Sequence, residues 1–566
     1  MATDTTNDQP SPGDGSGGSA GEGDSTERGM MSSSVGMAVG TLVSRLTGFG
    51  KVIMLAAAVG THLLADAYNT ANTITFIIND LLIGGLMASV IVPLLVRRRK
   101  RDADGGVANE NRLFTAAVLA LGTVTLVAIL GAEILIRLYG GSFTSSQYDA
   151  AVYLARFLLA QIFFIGLSGL ATAMLQTRGR FAIGAWAPIA NNVVIIIVAA
   201  LFLFVSGPEP TPESVTSGEL TLLGLGTAFG MVAQALILLV SLRRSGFRWR
   251  PRFDLRNSGL GEALRSAGWM FVYLCTTQIG FVITANAANR AGVMSVEQGY
   301  EVGAGITAYS YGFQLFQLPY AIVAVSLITV LLPTMSAHAA DQRWADVRAG
   351  FSRTLRVSAF ILVPLSLAIA IYAVPLSRLV FARGATSTAD ATNIGLVLTV
   401  MILGLLPFTI FQLMLRVFYA MSDTRTPALI SIGNVVVHGA LAATASILLP
   451  PDRVVIGVSA GFMLSFLSGI LIAAGVLSHR LGGLDGKAIC GTLFRLYVAA
   501  LPSAAIGIAT YWFFDNQFGA GLGTDIGAPV VGCLLGAPLF LLMTWILRVR
   551  ELRAMTDLVR SRLRRG

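Results

Sequence analysis

Charge is scarce in this chain of 566 residues, with Asp, Glu, Lys and Arg making up only 12%, about half of what a soluble domain carries. So few charges cannot cover the surface of the several soluble domains that a chain of this length would otherwise form. Cysteine is also rare. Cys275, Cys490 and Cys533 are odd in number and fall within or at the edge of apolar runs, which excludes a disulfide framework and offers no metal-ligand set. Gly486-Lys487 lacks the leading glycine and the following Ser or Thr of a phosphate loop, so no ATP-hydrolysing motif is present. Gly457-Val458-Ser459-Ala460-Gly461 fits a nucleophile elbow by letters alone, because it lies in an apolar run and not at a strand-to-helix turn. The expectation is a protein without enzyme chemistry, bound metal or cofactor.

Apolar residues are what the chain has in abundance, at 54% with a mean hydropathy of +0.72. Apolar runs of about 20 residues recur along it, each long enough to cross a hydrocarbon core as a helix. The runs fall near 34–59, 71–95, 113–138, 150–175, 181–206, 219–242, 263–287, 303–333, 357–380, 391–415, 428–449, 454–478, 488–513 and 523–547. They predict an all-α polytopic membrane protein of about 14 transmembrane helices. Residues 1–30 hold almost nothing apolar and predict a disordered cytoplasmic tail, with no secretory signal ahead of the first run.

The net charge of +10 is not a nucleic-acid signature, since the arginines sit in alternate loops as the positive-inside rule requires. They follow the second run (Arg97, Arg98, Arg99, Lys100, Arg101), the fourth (Arg178, Arg180), the sixth (Arg243 to Arg256) and the eighth (Arg343 to Arg356). The series continues with Arg416 and Arg425, then Arg480 and Lys487, then a basic tail from Arg548 to Arg565. The loops between carry mostly acids or nothing, among them Asp66, Asp149, Glu213, Glu297 and Asp515. Both termini are therefore expected in the cytoplasm.

Two short matches six runs apart suggest an internal duplication. Val90-Ile91-Val92-Pro93 echoes Val330-Leu331-Leu332-Pro333, and Asn192-Val193-Val194-Ile195 echoes Asn434-Val435-Val436-Val437 at nearly the same offset. An even displacement keeps orientation, so the reading is two parallel six-helix lobes, residues 31–256 and 257–482, with two appended C-terminal helices in 483–548 and a basic cytoplasmic tail in 549–566. Paired lobes of this kind close around a central site in transporters.

Polar side chains within the runs are costly, at about 2.5–3.5 kcal/mol for a charge at mid-bilayer, and so mark candidate sites. In the first run Gly40, Thr41, Ser44, Arg45, Thr47, Gly48 and Lys51 share one arc. Close helix packing accounts for the glycines but not for the two cations. The second run carries Asn72, Thr75 and Asn79 with Asp80 beside them; Asp80 is the natural counter-charge for Arg45 or Lys51, whether as a structural pair or in a substrate or proton role. The seventh run adds Thr276, Thr277, Gln278, Asn286 and Asn289, and the eighth adds Tyr309, Tyr311, Gln314 and Gln317. These four runs predict a hydrated cavity between the lobes. Glu133 and Arg137, spaced i,i+4, are expected to satisfy each other, and Arg156 to snorkel to the surface. Asn434 and His438 share a face that would hold a cation or proton, or make an interhelical hydrogen bond.

The stretch Ser44-Arg45-Leu46-Thr47-Gly48-Phe49-Gly50-Lys51 resembles the first-span signature of the MurJ/MviN lipid II flippases of the MOP exporter superfamily. Asp66-Ala67-Tyr68 is similar to that family's Thr-Asp-Ala-Phe turn, Val92-Pro93 to its Phe-Val-Pro, and Leu331-Leu332-Pro333 to its eighth-span ending. The resemblance implies a bacterial plasma-membrane protein of peptidoglycan synthesis that moves undecaprenyl-diphosphate-linked lipid II to the outer leaflet by alternating access. It implies substrate contacts at Arg45, Lys51, Ser44, Asn79, Asp80 and Gln314, gating or structural roles for Asp66, Pro93 and Pro333, and a coupling-ion position at Asn434 and His438. Asn79, Asp80 and Gln314 stand where the family commonly has arginine, and Gly84 where it has glutamate, so the implied cavity is less cationic. Coupling would draw on the membrane potential, H+ or Na+, and the partners would be membrane lipids and cell-wall synthesis or division proteins, not nucleic acid. Rival expectations are a flippase for another polyprenyl-linked polysaccharide, a MATE-like antiporter, and a transport-inactive scaffold for cell-wall synthesis.

Overall fold

The computed structural model describes residues 20–84, 106–253 and 260–552, and every regular element among them is helical. The first half contains α1 (Ala20–Val59), α2 (Leu63–Asn79), α3 (Val107–Leu130), α4 (Ala132–Tyr139), α5 (Ser145–Leu158), α6 (Gln161–Gln176), α7 (Phe181–Ser206) and α8 (Ser217–Arg244). The second contains α9 (Leu260–Glu297), α10 (Ile306–Pro319), α11 (Ser326–Ala340), α12 (Trp344–Ile371), α13 (Ala373–Phe381), α14 (Thr388–Leu403), α15 (Leu405–Ala420), α16 (Arg425–Leu448) and α17 (Pro451–Leu481). Two further helices, α18 (Gly486–Phe518) and α19 (Ala528–Ile546), follow.

Among the described residues, twelve helical stretches are long and apolar enough to cross a membrane, and α14 with α15, bent by 48°, make a thirteenth if taken as one span. The second predicted span enters as α2 and a π-helical turn at Asp80–Gly84; its remainder, including Val90 and Pro93, lies outside the described residues. The helix α1 starts at Ala20, inside the stretch expected to lack structure. In a bilayer the helices must satisfy their own backbone groups, which is why helices alone carry the chain across. Their outer faces are as apolar as their buried ones, with Phe204 88% and Ile447 80% exposed, the pattern of side chains that meet lipid.

Periodicity predicts continuous spans where the structure has breaks. Gly404 separates α14 from α15, where a side chain would meet Met463 at 2.5 Å, and Pro319 leads into a π-helical stretch at Tyr320–Val325. Pro333 sits, exposed, within α11. Elsewhere the ends are set by capping: Thr216 and Glu219 form a capping box at α8, as Ser387 and Asp390 do at α14.

The two halves repeat one pairing scheme. Helix α7 packs between α1 and α8, and α16 packs in the same way between α9 and α17; α2 lies on α5 as α10 lies on α14. Helices α18 and α19 pair with each other, and α18 lies along α12. The glycine series of α1 serves this packing, for a side chain at Gly40 would meet Trp186 of α7 at 2.5 Å. Asn192 donates to the Ser44 carbonyl and to Thr47, both at 3.1 Å, on the same α1–α7 seam.

The expected Glu133–Arg137 pair does not form. Glu133 instead takes Arg156 at 3.0 Å, and Arg137 lies over the Tyr148 ring. Both residues lie in the short α4, which begins after Gly131, so their i,i+4 spacing is kept and each is taken instead by a side chain of α5. All three cysteines are free.

Candidate functional site

Two adjoining cavities occupy the space between the halves. One, of about 450 Å³, is lined by Lys51 of α1, Asn69 and Asn72 of α2, Gln161 of α6, and Gln314 and Gln317 of α10. The other, of about 420 Å³, is lined by Asp80, Gln278, Asn434 and His438 and by a set of aromatic rings that includes Phe408, Phe462 and Phe466. Phe76, Phe281, Tyr309 and Phe313 belong to both walls.

The first cavity is a cation surrounded by amides. Lys51 makes no ion pair with any described residue, so its ammonium is available to an anion, while the amides offer both donors and acceptors. Gln161 and Asn72 lie within 3.5 Å of each other across the α2–α6 contact. Gln314 is where the sequence places it. Arg45 is not: it is exposed and lines neither cavity, about 9 Å further along α1 toward the arginine-rich end at 1.5 Å per residue. Ser44 faces the α1–α7 seam through its carbonyl, and the Asn79 side-chain Oδ1 is buried without a partner.

Asp80 is not the counter-charge of Arg45 or Lys51. It is exposed in the second cavity and forms no ion pair with a described residue; it begins a π-helical turn, and Lys51 lines only the first cavity. His438 and Asn434 also part company. His438 Nε2 bonds Thr284 Oγ1 of α9 at 2.9 Å, and Asn434 accepts from Ser468 of α17 at 3.3 Å. The interhelical hydrogen bond is thus the arrangement present, with His438 Nδ1 left buried and unpartnered. Among the described residues no cluster of three His, Cys, Asp or Glu side chains has the spacing to hold a metal.

Hydrogen bonds between the halves gather at the end opposite the arginine-rich loops. The Asp66 carboxylate, fully buried, accepts from the Thr307 N–H at 2.9 Å, at the N-terminus of α10, where the helix dipole and free N–H groups favour an anion. Asn69 donates to Thr307 Oγ1 at 3.1 Å, and Asn289 donates to Thr70 Oγ1 and the Tyr139 carbonyl. Thr386 donates to the Ala56 carbonyl at 2.7 Å and the Ala385 N–H to that of Ala57 at 2.8 Å. His62 Nε2 lies 3.4 Å from Asp390 Oδ1, which also accepts from the Gly303 N–H. The His62 side chain, outside the spans, is made more basic by its hydrogen bond to Asp390. Gly305 is obligatory here, because a Cβ would lie 1.7 Å from the Asp66 carboxylate.

Sequence reasoning passes over several of these residues. Asp390, Thr307 and Gly305 sit in or beside loops where neither periodicity nor charge marks them. Arg416, counted among the loop arginines, belongs to the body of α15. Its guanidinium is 5.7 Å from the Tyr419 ring, its Nε is buried without a partner, and its charge reaches Tyr273 and Tyr320. An arginine followed directly by an apolar, aromatic stretch was the available signal.

The comparisons with known proteins agree with this architecture. The family model described as lipid II flippase MurJ matches residues 55–523. A lipid II flippase MurJ of Burkholderia cenocepacia is 27% identical over 404 residues, covering 70% of this chain and 74% of that protein. A probable lipid II flippase MurJ of Rhizobium meliloti is 26% identical over 485 residues, with 83% and 85% covered. Among solved structures, a lipid II flippase MurJ in an inward-closed conformation superposes with a TM-score of 0.69 at 19% identity, covering 90% of this chain and 98% of that one. An inward-facing MATE-family transporter of the MOP superfamily gives 0.60 at 14% identity, with 77% and 95% covered, which is a likeness of fold. The match over most of the chain and the shared helical architecture establish that this protein belongs to the lipid II flippase MurJ family.

Proposed function

We propose that this chain moves lipid II, an undecaprenyl-diphosphate-linked peptidoglycan precursor, from the inner to the outer leaflet of the bacterial plasma membrane by alternating access between two lobes, residues 31–256 and 257–482. The observation that carries the reading is Lys51, an unpaired cation at the wall of an amide-lined cavity between the halves. A diphosphate in a low-dielectric cavity requires such a partner, and charge-assisted hydrogen bonds supply it. The surrounding amides suit the hydroxyl and amide groups of a sugar headgroup. Arg45 would meet the headgroup at the mouth of the cavity.

The positive-inside distribution of arginine supports cytoplasmic termini. The end closed by Asp66, Thr307, His62 and Asp390 then faces the outside. Lipid-embedded walls near α18 and α19 and the chain's membrane setting make membrane lipids its immediate partners, with cell-wall synthesis or division proteins as further partners. With no nucleotide motif, transport would be coupled to the membrane potential, H+ or Na+, with His438 and Asn434 on the cavity wall as the position for a coupling ion.

A second reading rests on Asp80. An unpaired carboxylate in an aromatic-walled cavity suits an organic cation, as a MATE-like antiporter would need. Depletion with complementation separates the two readings. Loss of the protein is expected to raise inner-leaflet lipid II, Lys51→Gln to fail to restore growth, and Asp80→Asn to restore it. Rescue by Lys51→Gln at normal protein levels, with failure of Asp80→Asn, would favour the antiporter.

A further inference from the structure

We infer that a groove at the arginine-rich end of the first half is a binding site for an anionic glycerophospholipid. The groove, about 760 Å³ in volume, runs between α3, α6 and α8, away from both central cavities. Phe114 and Val118, Leu167, and Leu239 make its walls, and Arg243 and Arg248 stand at its mouth at the arginine-rich end. Apolar walls with two cations at one rim match an acyl chain joined to a phosphate. Neither arginine side chain makes an ion pair or hydrogen bond with a described residue, whereas the neighbouring Arg178 is spent on buried Glu110.

The rim is built, not incidental. After α8 the chain folds back over α3: the Trp249 indole donates to Thr115 Oγ1 at 3.2 Å, the Arg250 N–H to Asn111 Oδ1 at 2.7 Å, and the Arg252 N–H to Thr115 Oγ1 at 3.1 Å. Asn111 and Thr115 are buried, so they are committed to holding this loop. Phe114 packs against both Phe247 and Trp249, each with ring centroids 5.3 Å apart, and Arg178 lies over Phe247. Arg248 is thereby fixed between two anchored aromatic residues. Tryptophan and arginine at this depth suit the headgroup region of a bilayer, and clustered arginine attracts anionic lipid at the membrane surface. The same loop leads from the first half to the second, so a lipid seated here ties that connection to the membrane. The binding needs only the groove; its assignment to the cytoplasmic leaflet rests on the orientation proposed above.

The test uses the full chain in phosphatidylcholine nanodiscs containing a fixed fraction of dibrominated phosphatidylglycerol or dibrominated phosphatidylcholine. The Trp249 contribution to fluorescence quenching is obtained by difference from Trp249→Phe. Quenching of Trp249 by the anionic lipid is expected to exceed that by the zwitterionic lipid roughly threefold or more. The Arg243→Gln/Arg248→Gln double variant is expected to lose the preference with its phosphatidylcholine quenching unchanged, and the Arg→Lys double variant to retain it, which separates a charge role from a folding defect. Equal quenching by the two lipids, a preference that survives the Gln variant, or displacement of phosphatidylglycerol by undecaprenyl diphosphate would each overturn the inference. None of these readouts depends on lipid II transport, so failure here is distinct from failure of the flippase reading.

Discussion

The two central cavities share a wall at Tyr309 and Phe313 yet differ in the balance of their linings. On one side Lys51 stands where amides such as Asn69, Asn72, Gln161 and Gln314 are frequent; on the other Asp80 and His438 stand where phenylalanine prevails and amides are fewer. The difference shows how a duplicated framework is used unequally. The helix pairings of the two halves match, with α1–α7–α8 against α9–α16–α17, so the backbone plan does not choose the ligand. Side chains do. An amide wall exchanges hydrogen bonds with a polar headgroup at little loss, whereas an aromatic wall leaves any such group unsatisfied at about 1–3 kcal/mol each.

Reversing the charge of the amide-lined cavity is the strongest way to break this contrast. If Lys51 holds the diphosphate as proposed, Lys51→Glu replaces a charge-assisted hydrogen bond by a repulsion; the expected loss exceeds about 3 kcal/mol, or more than roughly 100-fold in headgroup affinity. Asp80→Asn, on the aromatic side, is expected to change it less than about twofold. Titration of the reconstituted protein with lipid II reads both, and equal losses in the two variants would contradict the division of labour.

Gly305→Ala tests the closed end on which both cavities depend. The added Cβ displaces the Asp66 carboxylate from Thr307, a loss of about 1–3 kcal/mol to the closed arrangement. Disulfide yield in an Ala57→Cys/Ala385→Cys variant, with Cys275, Cys490 and Cys533 replaced by serine, should fall when Gly305→Ala is added. An unchanged yield would show that Asp66 is not part of the closure. On the aromatic side, His438→Ala removes the bond to Thr284 and is expected to lower stability by about 1 kcal/mol, seen as a lower unfolding midpoint, while lipid II affinity is retained.

The smallest effect concerns pH. His62 is more basic in the closed form through its bond to Asp390, so its contribution is fully present below the ordinary histidine value near 6.5 and fades as pH rises through the raised value. With the His62 side chain 42% exposed, solvent screening limits the contribution to about 1 kcal/mol or less. The same disulfide yield, taken at each pH relative to that of His62→Asn so that the rise in thiolate cancels, should decline modestly as pH rises above about 6.5.

Much of this was legible in the sequence for plain physical reasons. Apolar runs and alternating arginine clusters report bilayer constraints that act locally, so the spans could be read directly, and Lys51 stood out because a cation within an apolar run needs a reason. The setting of Asp80 was not legible. Charge alone suggested Arg45 or Lys51 as its counter-charge, but Asp80 lines the other cavity, at the start of a π-helical turn, and a local change of helical register lies below what periodicity can report. Glu133 met Arg156 instead of Arg137 because both members of the expected pair found partners on the neighbouring helix α5, Arg156 and the Tyr148 ring, which spacing within one helix does not report. The closed end escaped notice because Gly305, Thr307 and Asp390 acquire their meaning only from the chain segment that folds against them.

The most direct test of the central claim is lipid II binding by the purified full chain in nanodiscs, comparing wild type with Lys51→Gln. Loss of a charge-assisted contact predicts a roughly tenfold or greater fall in affinity, with Asp80→Asn retaining wild-type binding. Wild-type affinity in Lys51→Gln would contradict the assignment of the amide-lined cavity to the diphosphate headgroup.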